Sequence, residues 1–402
     1  MDTLELSLMS YDAFTAGLSD LLAEFEARYH VHVHVTLLSW ENAWTQVVKY
    51  ALYGDAPAVS EVGSTWVASL ATMNALRPFT SQEVTALGGE SAFLAAAWQS
   101  GMLQHDPTLW AIPWLAETRV IFYRRDLLEK AGVDESTAFH TPDRLVDTLK
   151  RLQAAGVANP WCVPTQPTIT TFHNVASWVW GAGGDFVDHE QRRVLFDQDA
   201  ARAGLRSYYE LQRFLPPTQR ALDAYTSDDL FFAGQAAATL SGPWLLVASD
   251  APLDPQLATR IGVALPPGDP LVSESHLVIW KSISPRLERL GVELVRFLTG
   301  RKSQLKCSRQ VGLLPVRNEV LCAPPFSIEP SYQMLSRGLQ TGRSFPAMRL
   351  WGLIEDRLVP ALGNLWQKVL AVPTPALDTI IRAELEPLAQ RLNRTLNMSQ
   401  HR

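Results

Sequence analysis

Leu4, Leu6 and Leu8 alternate with polar residues, and Val31, Val33, Val35 and Leu37 do the same. That is the period of a strand with one buried face. Between them Leu18, Leu21, Leu22, Phe25 and Tyr29 recur at helical spacing. Residues 41–53 read as a second helix, Asp55-Ala56-Pro57 as a turn, and Ser64 to Met73 as a third helix with Ser64 at its N-cap. The chain thus opens β-α-β-α-turn-β-α, an order that predicts an α/β fold with a mostly parallel sheet.

The same reading continues along the chain. Trp110 to Trp114 is a short extended piece, and Val120 to Tyr123 a strand leading into a helix at 126–131. Thr141 caps, and Pro142 opens, a helix that runs to about Ala155. A helix over 174–180 is broken by Gly181-Ala182-Gly183-Gly184, and another covers 199–214. Residues 261–265 and 277–280 read as strands, and 285–299 as a helix. Two long helices, 350–370 and 375–396, close the pattern. Phe232 to Trp244 is the most informative segment. Gly234 suits a helix C-cap, Ala236 to Leu240 a small buried strand, and Pro243 the first turn of a new helix. Trp244 then falls beyond the carboxyl end of a strand, where ligands bind in open α/β sheets; a core tryptophan at a loop is the alternative.

At 402 residues the chain exceeds one ordinary core, so two lobes are expected. No low-complexity linker separates them, which suggests that the chain crosses between lobes more than once. The net charge is −6 and no basic run interleaves with aromatics, so nucleic acid is not an expected partner. Cys162, Cys307 and Cys322 show no metal spacing and are expected to be inert thiols. His30, His32 and His34 share one face of a strand, but with valines inward that face is outward, and no metal is expected. No cofactor motif is present, and neither GxSxG, HExxH nor a P-loop occurs, so no enzyme is expected. The start, Met1-Asp2-Thr3-Leu4-Glu5, lacks the regions of a signal peptide. It reads as a cytoplasmic chain or as a mature one given a new methionine. Thirteen tryptophans, several beside turn signals, are more than a core readily absorbs. Indole faces stack on sugar C–H faces while the N–H finds hydroxyls.

An ordered set of motifs carries a resemblance. These are Ile112-Pro113-Trp114, Glu117-Thr118-Arg119, Phe122 to Leu128, Thr141 to Leu145, Trp180 to Asp185, Phe232 to Trp244, Leu265 to Gly268 and Gly312 to Val316. The chain resembles family 1 of the extracellular solute-binding proteins, the maltodextrin-binding-protein-like carbohydrate-binding subunits of ABC importers. The resemblance implies a class II, two-lobed periplasmic-binding-protein-like α/β fold with a ligand cleft between lobes. Lobe one would comprise residues 1–116 and 264–313, and lobe two residues 117–263 and 314–402. It implies an extracytoplasmic monomer, periplasmic or at the cell surface, that binds a mono- or oligosaccharide or another small polar solute and delivers it to a membrane permease. A ligand-sensing module of a signalling system and a lyase or hydrolase on the same fold are the alternatives. Two departures stand out: Pro57-Ala58-Val59 for the family's Pro-Asp-Val, and Ser273-Glu274-Ser275-His276 where glycines are usual, which puts larger groups near the expected cleft.

Candidate ligand residues follow from both readings. Trp244, beside Gly242, and Trp351 are the expected stacking platforms, with Trp114 and Trp178 as further candidates. Trp40 and Glu41 open a helix; Glu41 would accept sugar hydroxyls or serve the helix start. Ser64 and Trp66 begin another helix facing the same crevice, and Tyr11 and Asp12 follow the first strand. Glu117 and Arg119 lie near the hinge, where the pair would bind hydroxyls or set the hinge angle. His276 and Arg349 complete the set.

Overall fold

The computed structural model describes residues 2–9, 14–104, 106–216, 221–246 and 259–399, without the side chains of 14–17, Glu41 and Ser399. The strands are β1 (Asp2–Met9), β2 (Val31–Leu38), β3 (Val59–Gly63), β4 (Leu76–Arg77), β5 (Met102–Leu103), β6 (Asp106–Leu109), β7 (Ala111–Thr118), β8 (Val120–Arg124), β9 (Ala238–Ser241), β10 (Ile261–Ala264), β11 (Val272–Trp280) and β12 (Leu314–Pro315). Seven form one sheet in the order β12-β7-β11-β3-β1-β2, with β4 on β11. Three form a second sheet, β10-β8-β9.

The alternating leucines of β1 are fully buried, and the helix Phe14–Tyr29 covers them with Phe25. The opening β-α-β-α-β-α order is as expected, but the mostly parallel sheet is not. β1 pairs β2 and β3 in parallel, whereas β11, β7, β12 and β4 all join antiparallel. Those strands enter the sheet from distant parts of the chain, and local periodicity carries no direction. β11 also begins five residues before the apolar run Leu277–Trp280 that marked it, because its first half is polar yet buried.

The second lobe packs the β8 sheet against the helices Pro142–Ala154, Ile169–Gly181, Asp199–Tyr209, Trp351–Leu370 and Leu377–Ser399. Thr141 caps the first of these, accepting from the Arg144 N–H, with Pro142 in its first turn. The chain crosses between lobes at β7–β8, at β10–β11 and after the helix Pro330–Thr341. We place the third crossing there, later than the boundary expected at 313. β12 pairs with β7, and Tyr332, Leu335 and Leu339 share the core of the large sheet.

The tryptophan count also has a plainer explanation than expected. Nine of the thirteen, Trp66, Trp98, Trp114, Trp161, Trp178, Trp180, Trp280, Trp351 and Trp366, are buried. Each contributes roughly 150–250 Å² of buried surface, so most of the indole content stabilises cores.

A candidate solute site at the seam between the lobes

The β7–β8 corner places Glu117 and Arg119 at the first crossing. Arg119 is 3% exposed and donates to Glu117 (3.1 Å). Its Nη2 also lies 3.3 Å from His173 Nδ1, on the helix Ile169–Gly181. Burial, with the charge of Arg119, lowers the pKa of His173 against the pull of Glu117, whose Oε1 lies 3.5 Å from the same Nδ1. For Glu117 burial acts the other way and raises the pKa, but the charge of Arg119 and the contact with His173 outweigh it and hold the carboxyl ionised.

Trp244 lies beside this pair. The Arg119 guanidinium sits 4.6 Å from the centre of its ring, and its Nε1 donates to Asp228 (2.9 Å). Asp228 also accepts from the Ser241 hydroxyl (3.1 Å). Burial pushes the Asp228 carboxyl up to about 6 despite these donors. The turn Ser241-Gly242-Pro243 makes the arrangement possible. The indole folds back over Gly242, where a Cβ would fall well under 3.0 Å from three ring carbons. Gly242 is thus the floor beneath Trp244, in place of the expected ligand contact.

The other lobe supplies a tryptophan cluster. Trp66 lies 5.7 Å from Trp40 and 5.5 Å from Trp44, centre to centre. Its helix, Ser64–Thr72, meets the start of the helix Trp351–Leu370: the Ser69 hydroxyl donates to the Arg349 carbonyl (2.9 Å). Glu355 joins the two, with the indoles of Trp66 and Trp351 both directed to its carboxylate. Burial pushes Glu355 up to about 7.

Glu274 closes the seam from β11. Alternate residues Glu274, His276, Val278 and Trp280 share one face of that strand. Glu274 is 2% exposed. It accepts from Ser344 on the third crossing (2.8 Å) and has the Ser64 hydroxyl beside it. Its Oε2 has no hydrogen-bond partner among the described residues. Burial, reinforced by the charge of Glu117, pushes its pKa up to about 7.

The structure therefore gathers Glu117, Arg119, Trp244, Ser64, Trp66 and Trp40 around one seam and corrects several other expectations. Ser64 is the first helical residue, not the cap, which is Gly63. Trp351 is fully buried and stacked on Phe345 (4.8 Å, 29°), so its face is already taken. Trp114 is fully buried on β7, where its carbonyl accepts from Gln304. Trp178 packs edge-on against Tyr208 (5.0 Å) inside lobe two. His276 turns into the first lobe, donating from Nε2 to the Ala97 carbonyl (2.9 Å), and burial lowers its pKa to about 4. The exposed Arg349 meets the other lobe through its carbonyl. Tyr11 and Asp12 lie outside the described residues, as does the side chain of Glu41. Asp228, His173, Ser344 and Glu355 were not foreseen. Only Glu355 carried a signal, one helical turn after Trp351.

A separate pocket of about 430 Å³, lined by Tyr123, Arg125, Glu135, His140, Met334 and Arg337 among others, shares no residue with this seam. Its polar groups are largely engaged: Tyr123 donates to Glu135 (2.5 Å), which Arg125 pairs (3.2 Å).

Two α/β lobes joined by three crossings, with aromatic and polar groups of both at the seam, define a two-lobed binding protein. The chain belongs to the bacterial extracellular solute-binding proteins: that family's profile matches residues 20–333. This membership implies an extracytoplasmic place of action. Among curated proteins it is similar to the diacetylchitobiose binding protein DasA of Streptomyces coelicolor, 19% identical over 351 residues, covering 84% of this chain and 78% of that one. Among solved structures it shares its fold with maltose-bound T. maritima MalE3 (TM-score 0.82, 22% identity, 96% of this chain and 100% of that one). It also shares it with the GacH receptor of Streptomyces glaucescens, solved unliganded and with acarbose (TM-score 0.81, 21% identity, 98% of each chain).

Proposed function

We propose that the protein is the substrate-binding component of an ABC importer and holds a mono- or oligosaccharide between its lobes. One observation carries this reading. Indoles from both lobes, Trp244 on one side and Trp66 with Trp40 on the other, flank a polar seam of Glu117, Arg119, Asp228, Glu274 and Glu355. Aromatic faces offer stacking for sugar rings, and the carboxylates accept from hydroxyls. The diacetylchitobiose, maltose and acarbose named for the relatives support a carbohydrate ligand. The importer permease is the partner that family membership supports. The protein acts as a monomer, and no helix among its described residues is long and apolar enough to cross a membrane.

A thermal-shift panel of maltose, chitobiose and cellobiose series sugars with their monomers tests this. A ligand at a hundredfold its Kd adds about 2.7 kcal/mol, a shift of several degrees. No shift with any saccharide, against a folded control, overturns the reading.

A further inference from the structure

We propose that the solute is an aminated saccharide, with a protonated amine seated against Glu274. This rests on the reading of the seam as the saccharide site and narrows its ligand class.

Charge is the first observation. Glu117, Asp228 and Glu274 share the seam with the guanidinium of Arg119, which Glu117 already answers at 3.1 Å, and Glu355 lies beside the tryptophan cluster. The donors to the other three are neutral: the Trp244 indole and Ser241 hydroxyl to Asp228, the Ser344 hydroxyl to Glu274, and the Trp351 indole to Glu355. The second observation is independent of that count. Glu274 is 2% exposed, yet its Oε2 has no partner among the described residues. Its flanking hydroxyls come from Ser64 on the helix of the first lobe and Ser344 on the third crossing. The unmet oxygen therefore lies where the lobes meet.

An ionised carboxylate so secluded is costly without a cation. A sugar hydroxyl supplies a donor but no charge. An ammonium supplies both. The carboxyl's raised pKa agrees: without a cation it favours the protonated form, which an incoming ammonium would reverse with release of a proton to solvent.

Calorimetric titration with glucosamine and its β-1,4 dimer and trimer, beside the matched N-acetylated and 2-hydroxyl series, tests the proposal. The wild-type protein should bind the amine series at least tenfold more tightly than the 2-hydroxyl series at pH 7. Glu274→Gln should bring that ratio towards one, and Glu274→Asp, which keeps the charge, should retain a preference for the amine. Equal or tighter binding of the neutral series overturns the proposal while leaving the saccharide reading intact. A preference that persists undiminished in Glu274→Gln overturns the assignment to that residue. Failure of every series to bind, in a protein that melts normally, overturns both.

Discussion

Replacing Gly242 with alanine isolates the contact that sets the Trp244 ring. The new Cβ would lie well under 3.0 Å from three ring carbons, so the indole must rotate away. Gly242 is not among the positive-φ glycines, so backbone strain adds nothing to the effect. Rotation breaks the Trp244 hydrogen bond to Asp228 (2.9 Å) and lifts the ring from Arg119 (4.6 Å). Overpacking, the lost hydrogen bond and the lost cation–π contact together cost about 2–4 kcal/mol. For a chain of this size that lowers Tm by roughly 2–5 °C. Scanning calorimetry on a double-mutant cycle with Trp244→Ala separates this from any general effect of the methyl group. With the indole gone, Gly242→Ala should cost under about 0.5 kcal/mol. Equal losses in both backgrounds, or none in the wild type, would refute the reasoning.

Three further outcomes follow. The Glu274 carboxyl has its pKa raised from 4.5 to about 7, so the native state holds a proton that the unfolded chain releases. Its contribution is therefore complete below pH 4.5 and lost as pH rises to about 7, by at most about 3 kcal/mol. Wild type minus Glu274→Gln should show that fall in denaturant unfolding, and a pH-independent difference would contradict it. Gly204→Ala would drive a Cβ into the Trp178 carbonyl where two helices of lobe two cross, and should lower Tm by several degrees, measured by circular dichroism. Thr141→Ala removes the cap accepting from Arg144 and should cost about 1 kcal/mol in urea unfolding.

Periodicity revealed β1, β2 and the helix between them because Leu4, Leu6, Leu8, Val31, Val33, Leu18, Leu21, Leu22 and Phe25 are all buried. The pattern fails only at their ends, where Ser7 and Met9 are buried as well and Leu37 is 46% exposed. It missed the helix Arg301–Val311, whose residues are mostly polar, and the first half of β11, where a glutamate, a serine and a histidine are buried after Val272. Strand direction was not legible, since β11 pairs with β3 and β7 far away in the chain. At the site, Trp244 stood out through the turn chemistry of Gly242 and Pro243. Trp114, Trp178 and Trp351 were misplaced because a core indole and a ligand-facing one have the same sequence signature. Glu274 was visible as a large group where glycines were expected. Its seclusion and its unmet oxygen arise only when Ser64 and Ser344 are folded around it.

The most direct measurement is a crystal structure of the complex with a saccharide that raises Tm. The account predicts the sugar between the lobes, one face on Trp244 and its polar groups within hydrogen-bonding distance of Glu117 or Glu274. A sugar bound elsewhere, for instance in the pocket of Tyr123 and Arg337, with the seam unchanged, would contradict it.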